Sequence, residues 1–344
     1  MAAVRQSNIE LLRIASMAAV IMVHLDGASV GLPTPGSLHD VTAADAWRIV
    51  VESITIVGVN CFTLISGYFG IRARISGFVK FTLMCMFYSV GLYVLSTFSA
   101  RVEWNWGGFR ESWMVYTHTD LWYVPAYMLL YLVSPMLNVA TGMLPLRKFS
   151  LWLGVFVVAN VWCGWLWNGQ FNPTGYTFVQ LIMMYLVGQW LQKVIPAIRD
   201  RFGDKKLKCY SLALYCFATL LTALIAVWMT PVKVYAYNSP WVLASSVAIF
   251  CYFATSQFQS ATVNSLAQGA FAAYLIHKNP AVWGGLVRPT AVKIWQMDSL
   301  WVYTLFTVGF TAAIYIVSSI VDLFRRRLFR KLESLIDYKV KVEA

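Results

Sequence analysis

Apolar runs of about twenty residues recur from one end of this chain to the other. A helix needs a run of that length to cross the ~30 Å hydrocarbon core of a bilayer. Ten are read, at about 9–25, 47–69, 75–98, 121–143, 149–168, 177–195, 210–230, 240–258, 265–287 and 299–324. Of 344 residues, 59% are hydrophobic and 12% are charged, whereas a soluble domain carries about 25% charged residues. The expected fold is all-α: a polytopic membrane protein of about ten transmembrane helices. One membrane domain spans 1–324, and a basic amphipathic cytoplasmic tail follows at 325–344. The first run holds Glu10 and Arg13, which argues against a cleaved signal peptide.

A net charge of +12 suits a nucleic-acid partner only when the cations share one surface. Here they alternate with the spans. With the N-terminus in the cytoplasm, most of the 27 Lys and Arg fall on the cytoplasmic side, as the positive-inside rule requires. The charge therefore reports topology. It implies both termini inside, a multi-pass protein of the cell (plasma or inner) membrane, a lipid bilayer as surroundings and no nucleic-acid partner. The tail sets Leu328, Leu332, Leu335 and Ile336 at helical spacing among basic residues, as an interfacial helix would. Six cysteines without metal-like spacing and four scattered histidines leave no metal site expected. The tryptophans Trp104, Trp106, Trp113, Trp162, Trp165 and Trp167 read as an aromatic belt at the outer interface.

Polar groups inside the spans call for a reason, because a charge at mid-bilayer costs roughly 2.5–3.5 kcal/mol even on the lenient insertion scale. Arg13 and His24 lie eleven positions apart on the first span, about three turns, so both project from one face ~16 Å apart. His24 sits toward the outer end, Glu52 a little below the outer surface, and His277, Lys278 and Asn279 in the outer half of the ninth span. An outward-opening hydrated pocket would satisfy them all, and a histidine near a carboxylate suits general-base work. The rival is a structural ion pair of Glu52 with Lys278. At the inner side the second span ends in Ser66-Gly67, then Arg72 and Arg74. Gly67 permits a tight turn. The two arginines suit a phosphorylated ligand held in fork geometry; taken alone they are topology residues, and Arg13 at the same depth makes a joint anion site. Glu10 is placed to hold Arg13 by an (i, i+3) pair.

At these residues the chain resembles a known family. NIELLRIASMAAVIMVH (8–24), NCFTLISGYF, LWYVPAYMLLYLVSPMLN (121–138) and FAAYLIHKNP (271–280) are similar to the acyltransferase-3 family of bacterial integral membrane acyltransferases, closest to members of the cell-surface polysaccharide O-acetyltransferase type. The resemblance implies ten or so spans, no permanently bound cofactor, and acetyl-CoA (acyl-CoA) as co-substrate from the cytoplasm. It also implies transfer to a glycan or other hydroxyl acceptor at the outer face. The family's essential histidine maps onto His24 and its partner arginine onto Arg13. Members often carry two arginines separated by two residues in the first cytoplasmic loop. Arg72 and Arg74 are separated by one, so the heir to the CoA-phosphate role stays open. No esterase-like extension is expected.

The resemblance and the residues together give a mechanism. CoA phosphates bind Arg13, Arg72 or Arg74, with Ser66 nearby, and the pantetheine arm brings the thioester to His24. Neutral His24 takes the acceptor's proton, and Lys278, His277 or Asn279 stabilises the oxyanion. An acyl-imidazole on His24 is the alternative chemistry. The rival class is a transporter or flippase of a glycan or small solute.

Overall fold

The computed structural model describes residues 5–99, 102–117, 121–167, 171–297 and 299–342, and every regular element among them is a helix. A bilayer imposes this, because a spanning segment without water must satisfy its own backbone N–H and C=O groups. The first half carries α1 (Ser7–Val23), α2 (Ala43–Thr55), α3 (Gly58–Phe69), α4 (Ile75–Phe98), α5 (Trp106–Trp113), α6 (Tyr123–Met143) and α7 (Leu146–Ala159). The second carries α8 (Phe178–Phe202), α9 (Asp204–Ile225), α10 (Pro231–Val234), α11 (Pro240–Ala254), α12 (Ala261–Leu266), α13 (Ala270–His277), α14 (Pro280–Val282), α15 (Arg288–Trp295) and α16 (Leu300–Val342).

Eight helical stretches among the described residues are long and apolar enough to cross a membrane. They match the expected spans except the eighth and ninth. The eighth is the shorter apolar helix α11. The ninth, expected as one run over 265–287, is broken into α12, a 3₁₀ turn at Ala267–Gly269, α13, α14 and a π turn at Trp283–Val287. Hydropathy marks that segment as apolar but is blind to its punctuation. Pro280 cannot continue α13 and opens α14 instead, capped by the Asn279 side chain. The tail drawn at 325 belongs to the same helix as the last span, since α16 runs through that boundary; residues 343 and 344 lie outside the described residues.

The chain folds as two compact units. One comprises Met1–Ile71 and Met136–Ala267, the other Arg72–Pro135 and Gln268–Ala344. In the first unit, α1 turns Ile9, Leu12, Ser16 and Val20 inward at helical spacing. It meets α3 so closely that a Cβ on Gly58 would lie 2.6 Å from the Ser16 carbonyl oxygen. The α3–α8 crossing is closer still. A Cβ on Gly188 would sit 2.5 Å from the Leu64 carbonyl oxygen, and one on Gly67 would run into the Tyr185 backbone. Small residues of this kind let membrane helices approach at backbone distance. Gly67 thus serves packing rather than the turn expected of it; the left-handed residue that ends α3 is Gly70, at φ 71°. Around the crossing lie buried Leu64, Ile65, Met183, Met184 and Phe250.

A buried amide network completes this unit. Gln180 Nε2 donates to Asn60 Oδ1 at 3.0 Å, Asn160 Nδ2 to Gln180 Oε1 at 2.9 Å, and Asn172 Nδ2 to Asn160 Oδ1 at 2.8 Å. Four amides this deep persist because each finds partners.

The second unit packs α13 on α16 through Gly269, whose Cβ would lie 2.5 Å from Ser319 Oγ. Buried Asp322 gathers Tyr88 Oη at 2.9 Å, Arg325 Nε at 2.8 Å and Arg326 Nε at 2.9 Å. Lys80 of α4 pairs with Asp337 at 2.6 Å. Trp104, Trp106 and Trp113 are exposed here, as belt residues are. In the first unit Trp165 is not: it is buried, donates Nε1–H to the Lys233 carbonyl at 2.8 Å and meets Trp241 edge-on.

Candidate active site

The first helix carries a charged group near each end. Its start is anchored by the Asn8 amide donating to the Phe253 carbonyl at 2.9 Å and by Ser7 Oγ donating to Asn264 Oδ1 at 2.9 Å. One turn on, Arg13 Nη1 meets Glu10 Oε2 at 2.9 Å, the (i, i+3) pair expected from spacing. The Arg13 side chain keeps 30% of its surface exposed, so the pairing leaves part of the guanidinium accessible.

At the other end α1 widens into a π turn over His24–Ala28, a feature frequent at functional sites. His24 opens this turn and is half-buried, and Ser29 Oγ donates to its carbonyl at 2.8 Å. Two residues on, buried Asp26 accepts from Arg48 Nε at 2.6 Å, and Arg48 Nη2 also donates to the Gly31 carbonyl. Asp26 and Arg48 are 2% and 4% exposed. A pair this dry holds only with good geometry and its remaining donors satisfied. The guanidinium therefore ties α2 to the far side of the His24 turn.

Glu52 lies one turn beyond Arg48 on α2 and is 3% exposed. Its Oε1 faces the His24 turn, 3.5 Å from where a Cβ on Gly27 would stand. Its Oε2 is buried and has no hydrogen-bond partner among the described residues. An unsatisfied buried carboxylate oxygen costs about 1–3 kcal/mol or more, and native proteins keep few of them without a purpose. Ser53 and Tyr235 bond the Ile49 carbonyl at 2.7 and 3.2 Å, stiffening α2 behind the carboxylate.

His277, Lys278 and Asn279 belong to the second unit. Buried His277 places Nδ1 2.6 Å from the Ala273 carbonyl. A carbonyl oxygen only accepts, so Nδ1 donates its proton there. Lys278 Nζ stands 4.1 Å over the Trp283 ring, a cation–π contact. The Asn279 Oδ1 caps Ala281 N at 3.1 Å.

Ser66, expected beside a phosphorylated ligand, donates to the Phe62 carbonyl at 3.0 Å within α3. Arg72 and Arg74 are exposed, and neither guanidinium has an ion-pair or hydrogen-bond partner among the described residues. Their backbone is held firmly. Tyr131 Oη accepts from Arg74 N at 2.8 Å and donates to Arg74 O at 2.9 Å. In the first unit, Ile71 N donates to Tyr185 Oη at 2.8 Å and Asn138 Nδ2 donates to Ile71 O at 2.9 Å.

The Asp26–Arg48 pair joins two separate segments, which sequence spacing alone does not predict. The available signals were Asp26 two residues after His24, and Arg48 and Glu52 one turn apart on α2. A family model described as an acyltransferase domain matches residues 6–321. No curated protein and no solved structure matches the chain.

Proposed function

The chain belongs to the acyltransferase-3 family and is a membrane acyltransferase; on that premise we propose that it moves an acetyl group from cytoplasmic acetyl-CoA to a hydroxyl of an extracytoplasmic or lipid-linked glycan. In this reading both termini face the cytoplasm, and Arg72 and Arg74 hold the phosphates of the CoA moiety. Arg13, the accessible cation at the donor end of α1, meets the same ligand on its path along the helix.

The thioester reaches the depth of His24. Neutral His24 takes the proton of the acceptor hydroxyl as its oxygen bonds to the acyl carbon. The thioester C–S bond then breaks, and the proton passes from His24 to the departing thiolate, giving free CoA and an O-acyl ester. Bringing donor and acceptor together in one water-poor passage supplies the proximity term. Glu52 accepts a hydrogen bond from the incoming hydroxyl or orients the imidazole, and the Asp26–Arg48 pair keeps the turn in place. His277 and Lys278 are proposed as supporting groups for the same transfer.

One observation carries the assignment: a buried carboxylate with an unsatisfied oxygen faces the turn that bears His24. A transporter has no comparable need for a buried acid set against a histidine-bearing turn. The test compares O-acetyl content of cell-surface glycans with the gene intact, deleted and carrying His24→Ala. Ester lost in both altered strains supports the reading. Ester unchanged by deletion refutes it.

A further inference from the structure

We propose that Tyr131, which holds the backbone of Arg74, together with Asn138 and Tyr185, which hold that of Ile71 next to Arg72, serves to position the arginines that receive the phosphates of acyl-CoA. This rests on the acyl-CoA reading above. The backbone between α3 and α4 is held unusually well for an exposed connection. Gly70 N bonds Gly67 O at 3.1 Å as α3 ends, and Phe78 N bonds Arg74 O at 3.0 Å as α4 begins. The Tyr131 hydroxyl then takes both polar groups of Arg74, accepting from the N–H and donating to the carbonyl. At Ile71 two side chains share the work, and Tyr185 Oη in turn donates to Asn138 Oδ1 at 2.7 Å. Asn138 Oδ1 also accepts from Gln189 Nε2 at 2.5 Å, and Gln189 Oε1 from Thr141 Oγ1 at 3.0 Å.

Water satisfies exposed backbone groups at no cost, so satisfaction alone does not call for these side chains. What they add is position. Arg74 stands outside the helix it precedes, in an extended conformation at φ −137° and ψ 146°, and its side chain forms no cap. The contrast is with the ion-paired arginines; exposed Arg147 and Arg201 likewise have no carboxylate partner among the described residues. Arg13, Arg48, Arg325 and Arg326 each have a carboxylate within 2.9 Å. Arg72 and Arg74 have none among the described residues, on a segment whose backbone is fixed on both sides. Fixed backbone and uncommitted guanidinium groups are what preorganised recognition of phosphate needs, since ordering has been done before the ligand arrives.

The full chain in lipid nanodiscs is assayed for acetyl-CoA-dependent thiol release and, by calorimetry, for binding of free CoA. Tyr131→Phe keeps the ring and removes both backbone contacts. It should raise KM for acetyl-CoA and Kd for CoA about tenfold, the worth of one or two hydrogen bonds, with kcat within about twofold. A merely structural role would instead lower kcat and thermal midpoint together at unchanged KM, and that result overturns the proposal. So does a Tyr131→Phe protein with wild-type KM and Kd. Should Tyr131→Phe not fold, Asn138→Leu tests the Ile71 contact with the same split expected. Arg72→Ala and Arg74→Ala separate the two levels. If they weaken CoA binding and the Tyr131 and Asn138 variants do not, the positioning role fails and the phosphate site stands. If neither arginine variant weakens binding, the phosphates lie elsewhere and both fall.

Discussion

At the scale of single residues the proposal puts the chemistry on His24 and Glu52 and the bracing of their turn on Arg48, and these differ in how replaceable they should be. His24→Ala removes the proton acceptor from a half-buried position, so the protein should fold and lose transfer by roughly 10²–10⁴-fold, read as thiol release at saturating donor. Arg48 should behave oppositely. Arg48→Met leaves Asp26 buried without its cation, a loss of about 3–5 kcal/mol, seen as a fall in thermal midpoint. Replacing both partners, Asp26→Leu with Arg48→Met, should recover most of that stability. A single Arg48→Met protein as stable as wild type would show that the pair bears no load. The Glu10–Arg13 pair was legible because three positions on one helix fix two side chains together. Asp26 and Arg48 join through separate segments, and no periodicity announces such a meeting.

Elements divide into those that hydropathy describes and those that punctuation and close contact decide. The first seven runs and the last each hold a helical stretch long and apolar enough to cross a membrane, because length and apolarity suffice for a span. The ninth does not, since Pro280, and the turn before α13, outrank its hydropathy. The α3–α8 crossing adds a constraint that only three dimensions reveal. Gly188→Ala puts a methyl 2.5 Å from the Leu64 carbonyl oxygen, and overpacking of that kind costs ~1–3 kcal/mol. Its thermal midpoint in detergent should fall accordingly; an unchanged midpoint would mean that the crossing yields without strain. Trp165 teaches the same lesson. Its place near an aromatic belt was readable, but its bond to the Lys233 carbonyl was not.

The molecule as a whole is an all-helical membrane protein of the acyltransferase-3 family, and that much was written in composition and motif. Its division into two units was hidden, since each unit draws on distant stretches of chain and the boundary between Pro135 and Met136 falls inside one helix, α6. The distribution of Lys and Arg predicts both termini on the cytoplasmic side, so reporters fused at either end should both read as internal; opposite readings would overturn the proposed path of the donor. The most direct test of the account is made on purified protein in sealed proteoliposomes supplied with labelled acetyl-CoA and an acceptor glycan preparation. Wild-type protein should release CoA thiol and transfer label as an alkali-labile ester, while folded His24→Ala should do neither above background. An intact thioester with wild-type protein, or full transfer by His24→Ala, would contradict it.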